Sequence, residues 1–430
     1  MAQIASQNAP SPPMVISHFI FGGFTWLVAA GLIIFFPEAF IGHYFNPKLL
    51  ALTHLLALGW ITMVIFGALY QLIPVIMEVK LYSERMALAA FVLLGLGGVL
   101  LAAAFWQFHL GLLMYISAAL IVAAVVLFSV NVLFTSRRSA KKTIERDFIL
   151  TATLWLLFTV AAGITLAFNL THAFLSTPHI ELLKLHAHAG IVGWFIQLIM
   201  GVGSRLLPMF MVAHGLNFRK LHWAYYALNG GLLTGILALG IQWTPGVLIG
   251  TVGVAFGIVL FLAFLWEAYH KRAKKQLDIG MRQSALAFLI LLFPLLLAFL
   301  FFLPAGFLEV AAAPAGIAYG SALILGFITS LIMGQTYKTL PFIVWLKVYR
   351  GRVGRGKTPL PKDLYSERVA NIQLWLFSAG FLALAVGVLL QAASLVSAAG
   401  LLLFLSAALY DFNLLKIVLH KSTNPQRHDS

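Results

Sequence analysis

A chain of 430 residues that is 61% hydrophobic and only 10% charged does not have the composition of a soluble globular domain. Its net charge of +15 would suit a nucleic-acid partner, but 26 of the 28 Lys and Arg residues fall on one side of a twelve-span arrangement. Membrane orientation accounts for that bias, so no nucleic acid is expected as a partner. The absence of cysteine excludes disulfides, iron–sulfur clusters and thiolate metal sites; any metal or cofactor must be held by histidine, carboxylate, methionine or backbone.

The chain opens on MAQIASQNAPSPPM, which is polar and proline-rich and has no charged region ahead of a short apolar core. It does not read as a cleaved signal peptide, and residues 1–14 are assigned to a short cytoplasmic segment. Beyond it, apolar runs longer than 18 residues recur, each long enough to cross a hydrocarbon core of roughly 30 Å as a helix. Twelve are centred near residues 25, 63, 96, 122, 159, 198, 232, 257, 293, 330, 379 and 406. The expected architecture is all-α and integral to the membrane, a single transmembrane domain over 15–420 with a polar cytoplasmic tail at 421–430. Basic clusters at 137–146, 270–275 and 347–357 follow the fourth, eighth and tenth spans, and only Lys48 and Lys184 lie on the other side. The positive-inside rule then puts both termini in the cytoplasm, which suits a bacterial-type inner membrane.

Three of the twelve runs share one ruler. HLLALGWITMVIFGALYQLIP starts at His54, HAGIVGWFIQLIMGVGSRLLP at His188 and SALILGFITSLIMGQTYKTLP at Ser321. Counted from each start, Gly falls at +5 (Gly59, Gly193, Gly326) and an aromatic at +6 (Trp60, Trp194, Phe327). Gly returns at +13 (Gly67, Gly201, Gly334), and Pro closes the run at +20 (Pro74, Pro208, Pro341). The starts lie 134 and 133 residues apart, so one four-span unit is repeated as three arcs over 15–146, 147–280 and 281–420. Close helix packing explains the small residues and the terminal proline. It does not explain why two copies start on histidine and the third on serine.

Seven of the thirteen histidines, namely His43, His54, His109, His172, His179, His186 and His188, belong to the side opposite the basic clusters. His54 lies about 9 Å along its helix at 1.5 Å per residue, a depth where an imidazole usually faces the bundle interior with a partner. A hydrogen bond to a neighbouring helix would satisfy it, but His188 occupies the same register in the second arc. His186 and His188 form an HAH pair whose rings, about 200° apart around a helix, serve two adjacent sites better than one ion. His172, His179 and His109 are further candidates for a metal on that side. At +17, Gln71, Arg205 and Lys338 lie near the inner end, where snorkelling explains the two cations. Glu267, Asp411 and Asn413 also read as solvated helix ends.

With these residues the chain resembles the haem–copper oxidase superfamily: subunit I of cytochrome oxidases and nitric oxide reductases, with NnrS-type haem proteins as further relatives. The architecture is similar throughout, and the motif likeness rests on HAHAGIVGWFIQLIMGVGSRLLPMF and HLLALGWITMVIFGALYQLIPV. The first is similar to the family's HxH helix, whose histidines ligate two haems, and the second to the span that carries the remaining low-spin haem ligand. The resemblance implies b-type haem, held by His54, His188 and His186, with copper as a further cofactor. The departures are the HxH pair on the sixth span instead of the tenth, Ser321 on the tenth, and the lack of any adjacent His-His pair or HPE motif. They argue against a conventional copper-containing oxygen-reducing centre. What is implied is electron transfer or binding of a diatomic gas such as NO or O2, with a redox partner or quinol as electron source. Two rivals remain at this stage: a haem-free transporter using intramembrane histidines, and a non-catalytic assembly factor for respiratory complexes.

Overall fold

The protein is described by a computed structural model covering residues 8–302, 312–352 and 358–422. Most of the terminal segments at 1–14 and 421–430, and the part of the basic loop at 353–357, lie outside the described residues. Among the described residues, twelve long helices follow one another as α1 (Pro12–Phe35), α2 (Pro47–Met77), α3 (Glu84–Trp106), α4 (Leu112–Arg137), α5 (Ile144–His172) and α6 (His179–Met211). They continue as α7 (Arg219–Gly240), α8 (Thr244–His270), α9 (Ile279–Leu300), α10 (Ala312–Tyr349), α11 (Glu367–Leu389) and α12 (Ala393–Val418). Eleven are long and apolar enough to cross a membrane. The twelfth, α7, has the length at 22 residues, but Trp223, Tyr225, Tyr226 and Asn229 dilute its first half. The chain is a multi-pass membrane protein.

Local signals set the helix ends. Ser83, Thr143, Asp278 and Ser366 cap α3, α5, α9 and α11, each side chain accepting from a backbone N–H in the first turn. Each such cap contributes about 1 kcal/mol. All four lie at the end of the bundle that carries the basic clusters. At the opposite end, Asn46 caps α2 by accepting from the N–H groups of Lys48 and Leu49.

The ruler has a structural meaning that its spacing does not announce. α2, α6 and α10 each change to π-helix immediately after the ruler start, over Leu55–Thr62, Ala189–Ile196 and Ala322–Ile328. Such wide turns inside α-helices are rare and concentrate at functional sites. The glycines then dock the ruler helices onto the first helix of the same arc. A Cβ on Gly67 would stand 2.5 Å from His18 on α1, one on Gly201 2.5 Å from Phe148 on α5, and one on Gly334 2.6 Å from the Gly280 carbonyl on α9. Pro74 and Pro208 lie three residues before the ends of α2 and α6, whereas α10 runs on from Pro341 to Tyr349.

Within each arc the third and fourth helices pair closely. α7 and α8 approach so tightly that a Cβ on Gly231 would lie 2.5 Å from the Val254 backbone nitrogen. α12 returns to α1, where Ser397 donates to the Ile34 carbonyl at 2.8 Å and Gly400 abuts the Ile34 nitrogen. The helices therefore close into a ring, with α2, α6 and α10 the most deeply buried of the membrane-crossing helices.

Candidate functional site

Inside the ring, toward the end opposite the basic clusters, lies a cavity of about 810 Å³. That volume is in the range of cofactor pockets. Its walls come from α2 to α10 and are largely apolar, with His54, His179, His186, His188, Tyr44, Tyr319 and Ser321 among the polar lining. Lys184 is the sole lysine or arginine among the described lining residues, and it pairs with Glu181 at 2.7 Å.

His54 and His186 are each the eighth residue of their helix, about 10 Å from its start at 1.5 Å per residue. Their ring centres are 6.4 Å apart and their planes 18° from parallel. His54 Nδ1 is 2.8 Å from the Leu50 carbonyl one turn back, and the ring stacks on Phe105 with centres 4.8 Å apart. The one-turn bond alone is not diagnostic, since the exposed His222 and His270 make it too. His186 differs: its Nδ1 reaches across to the Thr159 carbonyl of α5 at 3.0 Å. Gly163 makes room for it, because a Cβ there would stand 3.0 Å from His186 Cε1. Both rings are thus held through Nδ1, which leaves Nε2 as the nitrogen available to a ligand.

His188 takes the other side of α6. Its Nδ1 is 2.8 Å from the Lys184 carbonyl, and its Nε2 is 3.4 Å from the Tyr319 hydroxyl on α10. The two residues of HAH therefore serve different neighbours, and His54 is brought to His186, not to His188, its counterpart in register. The reason is the angle of about 200° between positions two apart on a helix. Sequence reasoning missed Tyr319. Extending the ruler two residues upstream, to Leu52, His186 and Tyr319, would have found it.

The remaining candidates stand apart. His179 lines the cavity beside the Phe45 ring, with Nδ1 3.4 Å from Asn169 Nδ2. His172 is exposed at the end of α5 against Thr171, and His109 is exposed in the loop after α3. Among the described residues, no three His, Asp or Glu side chains converge on a point that could hold a metal ion. At the basic end, Lys338 pairs with Asp278 at 2.6 Å, Arg205 is exposed, and Glu267 binds Lys220 and Lys271. None of these lines the cavity.

The two rings and the space between them fit a haem. Two imidazoles on opposite faces of one first-row metal ion, with bonds of about 2 Å, have ring centres about 6 Å apart. The largely apolar walls suit a macrocycle.

No protein-family model and no curated protein sequence matches the chain. A solved structure does: a haem–copper terminal oxidase dimer determined by cryo-electron microscopy shares the fold, with a TM-score of 0.64. The match covers 96% of this chain and 85% of that one, at 12% identity. The likeness is therefore one of architecture, and it extends over nearly the whole length of the chain.

Proposed function

We propose that this chain is a haem-binding membrane protein on the oxidase subunit I fold, in which His54 and His186 hold one b-type haem and His188 serves a second site toward α10. It acts in electron transfer or in binding a diatomic gas such as NO or O2, and draws electrons from a redox partner or a quinol. The observation that carries this reading is the His54–His186 pair, near-parallel rings 6.4 Å apart at equal depth on two helices. When bound, the haem supplies a one-electron couple, and two imidazole ligands favour electron transfer over gas binding.

The protein's own residues do the rest. The Leu50 and Thr159 carbonyls fix the tautomers of His54 and His186 and orient the rings, as outer partners of metal-bound histidines usually do. The apolar lining limits water around the site, which tunes the potential. The basic clusters support an orientation with both termini in the cytoplasm and the cavity toward the outer face.

The test is to purify the full chain in detergent and record its spectrum, then repeat with His54→Ala, His186→Ala and the exposed control His222→Ala. The wild type and the control should carry low-spin haem. Each cavity variant should lose it or turn high-spin. A colourless wild type, or unchanged spectra in both cavity variants, contradicts the reading, and the former would favour a transporter.

A further inference from the structure

At the basic end of the second arc, two loops form one hydrogen-bonded platform. The loop after α8 lies against the loop after α6, where the Ala273 N–H donates to the Val212 carbonyl and the Lys274 N–H to the Met211 carbonyl, each at 3.2 Å. Glu267, near the end of α8, ties the platform to the start of α7. It accepts from the Asn217 N–H at 3.2 Å and pairs with Lys220 at 2.7 Å and Lys271 at 2.8 Å. Asp278 takes up Lys274. Between residues 212 and 278, Arg219, Lys220, Lys271, Arg272, Lys274 and Lys275 stand against only Glu267 and Asp278. Among the described residues, no carboxylate pairs with Arg219, Arg272 or Lys275.

Arg272 is held in place by its own neighbours. Its guanidinium lies 3.6 Å over the Tyr269 ring, and its Nη1 donates to the Tyr269 carbonyl. Tyr269 lies in turn beside Trp266, with ring centres 6.1 Å apart and planes 23° from parallel. Cation, phenol and indole thus descend along the last turns of α8. Trp266 and, at the start of α7, Trp223 are each 66% exposed. An indole so exposed at the end of a membrane-crossing helix sits at the level of the lipid headgroups. Membrane orientation requires only that cations gather at this end. It does not require that one of them be immobilised with most of its N–H donors unspent.

We propose that this platform docks an anionic phospholipid of the leaflet at the basic end, with its phosphate on Arg272 and its glycerol and upper acyl chains along Trp266. Charge selects the headgroup. Cations left without a carboxylate attract a lipid of net negative charge and repel the ammonium of a zwitterionic one. The planar guanidinium matches phosphate oxygens, and stacking on Tyr269 lowers the cost of ordering it. Trp266 selects a lipid over a free phosphate, because only the lipid brings apolar surface to cover the ring. None of these residues lines the cavity, so the docking site is independent of the haem reading.

The experiment is native mass spectrometry of the delipidated full chain in detergent, titrated with phosphatidylglycerol, with phosphatidylcholine of the same acyl chains, or with inorganic phosphate. Phosphatidylglycerol should bind more tightly than phosphatidylcholine, by about fivefold or more. Arg272→Gln should weaken phosphatidylglycerol by about fivefold. Trp266→Ala, a change at an exposed side chain, should weaken phosphatidylglycerol and leave inorganic phosphate as it was. Arg137→Gln makes the same charge change in the cluster after α4 and should leave the lipid affinity at the wild-type value. Equal binding of the two lipids, or equal losses in Arg272→Gln and Arg137→Gln, overturns a built site in favour of diffuse charge. Inorganic phosphate binding as tightly as phosphatidylglycerol, or a Trp266→Ala variant that binds the lipid like wild type, overturns lipid docking at this platform.

Discussion

The indole N–H of Trp60 on α2 donates to Thr329 Oγ1 on α10 across 3.1 Å, joining the first arc to the third through two side chains with no exposed surface. Thr329 Oγ1 in turn donates to the Ile324 carbonyl five residues back, the reach of a π-turn. Trp60 also lies between Trp26 and Tyr410, with ring centres 6.4 and 5.6 Å away. In the first arc the aromatic at +6 is therefore an inter-arc strut.

Substitutions at that strut should separate packing from hydrogen bonding. Trp60→Phe removes the donor and leaves Thr329 bonded to Ile324, a loss of about 1 kcal/mol. Trp60→Ala opens a cavity and should cost about 3–5 kcal/mol. Thermal unfolding in detergent reads the order, and equal losses in the two variants would refute the strut.

Two neighbouring glycines on α7 give a contrast in close packing. Gly230 faces open space, with nothing within 4 Å of an added Cβ, whereas Gly231 faces the Val254 nitrogen and the Gly250 carbonyl of α8. Gly231→Ala meets backbone that cannot yield and should destabilise by about 1–3 kcal/mol. Gly230→Ala should be neutral or stabilise by up to about 1 kcal/mol. The same unfolding measurement decides, and a reversed order contradicts the helix pairing.

Acid should loosen the basic end through Asp278. Burial pushes this carboxyl up, but hydrogen bonds from Lys274 and Lys338 outweigh it and hold the group below its ordinary value. A folded-state value lower than the unfolded one gives stability that is full above the unfolded value, near 3.8, and is lost as pH falls through the folded value. Asp278→Asn keeps an acceptor for the Met281 N–H and removes the charge. Its unfolding temperature should fall less than that of the wild type between about pH 5 and about pH 2, and parallel curves would count against the Lys274 and Lys338 bonds to Asp278.

Orientation can be tested directly because the chain has no cysteine of its own. Cysteines placed at the exposed Ala140 and Ser176 lie at opposite ends of the bundle. The basic bias predicts that Ala140→Cys reacts from the cytoplasmic side and Ser176→Cys from the outside. The opposite pattern would invert the bundle and turn the cavity toward the cytoplasm.

Much of this architecture was legible in the sequence. Twelve apolar runs became twelve helices, and glycines at +13 became the contacts to α1, α5 and α9, because span length and close approach depend on composition and spacing. The π-segments were not legible: they are only seven or eight residues long and almost wholly apolar, so hydropathy carries no period there to read, and neither His54 nor Ser321 signals the change. The partner of His54 was hidden for a related reason. Register aligns His54 with His188 without pairing them, because pairing across a pseudo-symmetric ring depends on which face of the next helix turns inward, and that face carries His186. Tyr319 escaped because a lone tyrosine on an apolar helix carries no signal until His188 is placed opposite it.

The most direct test of the account is an experimental density map of the detergent-purified chain at the His54–His186 gap. The account predicts a flat, macrocycle-sized density between the two rings, with Nε2 of both His54 and His186 reaching its centre from opposite faces. A map in which the two imidazoles contact water or each other, with lipid or side chains filling the cavity, would contradict it.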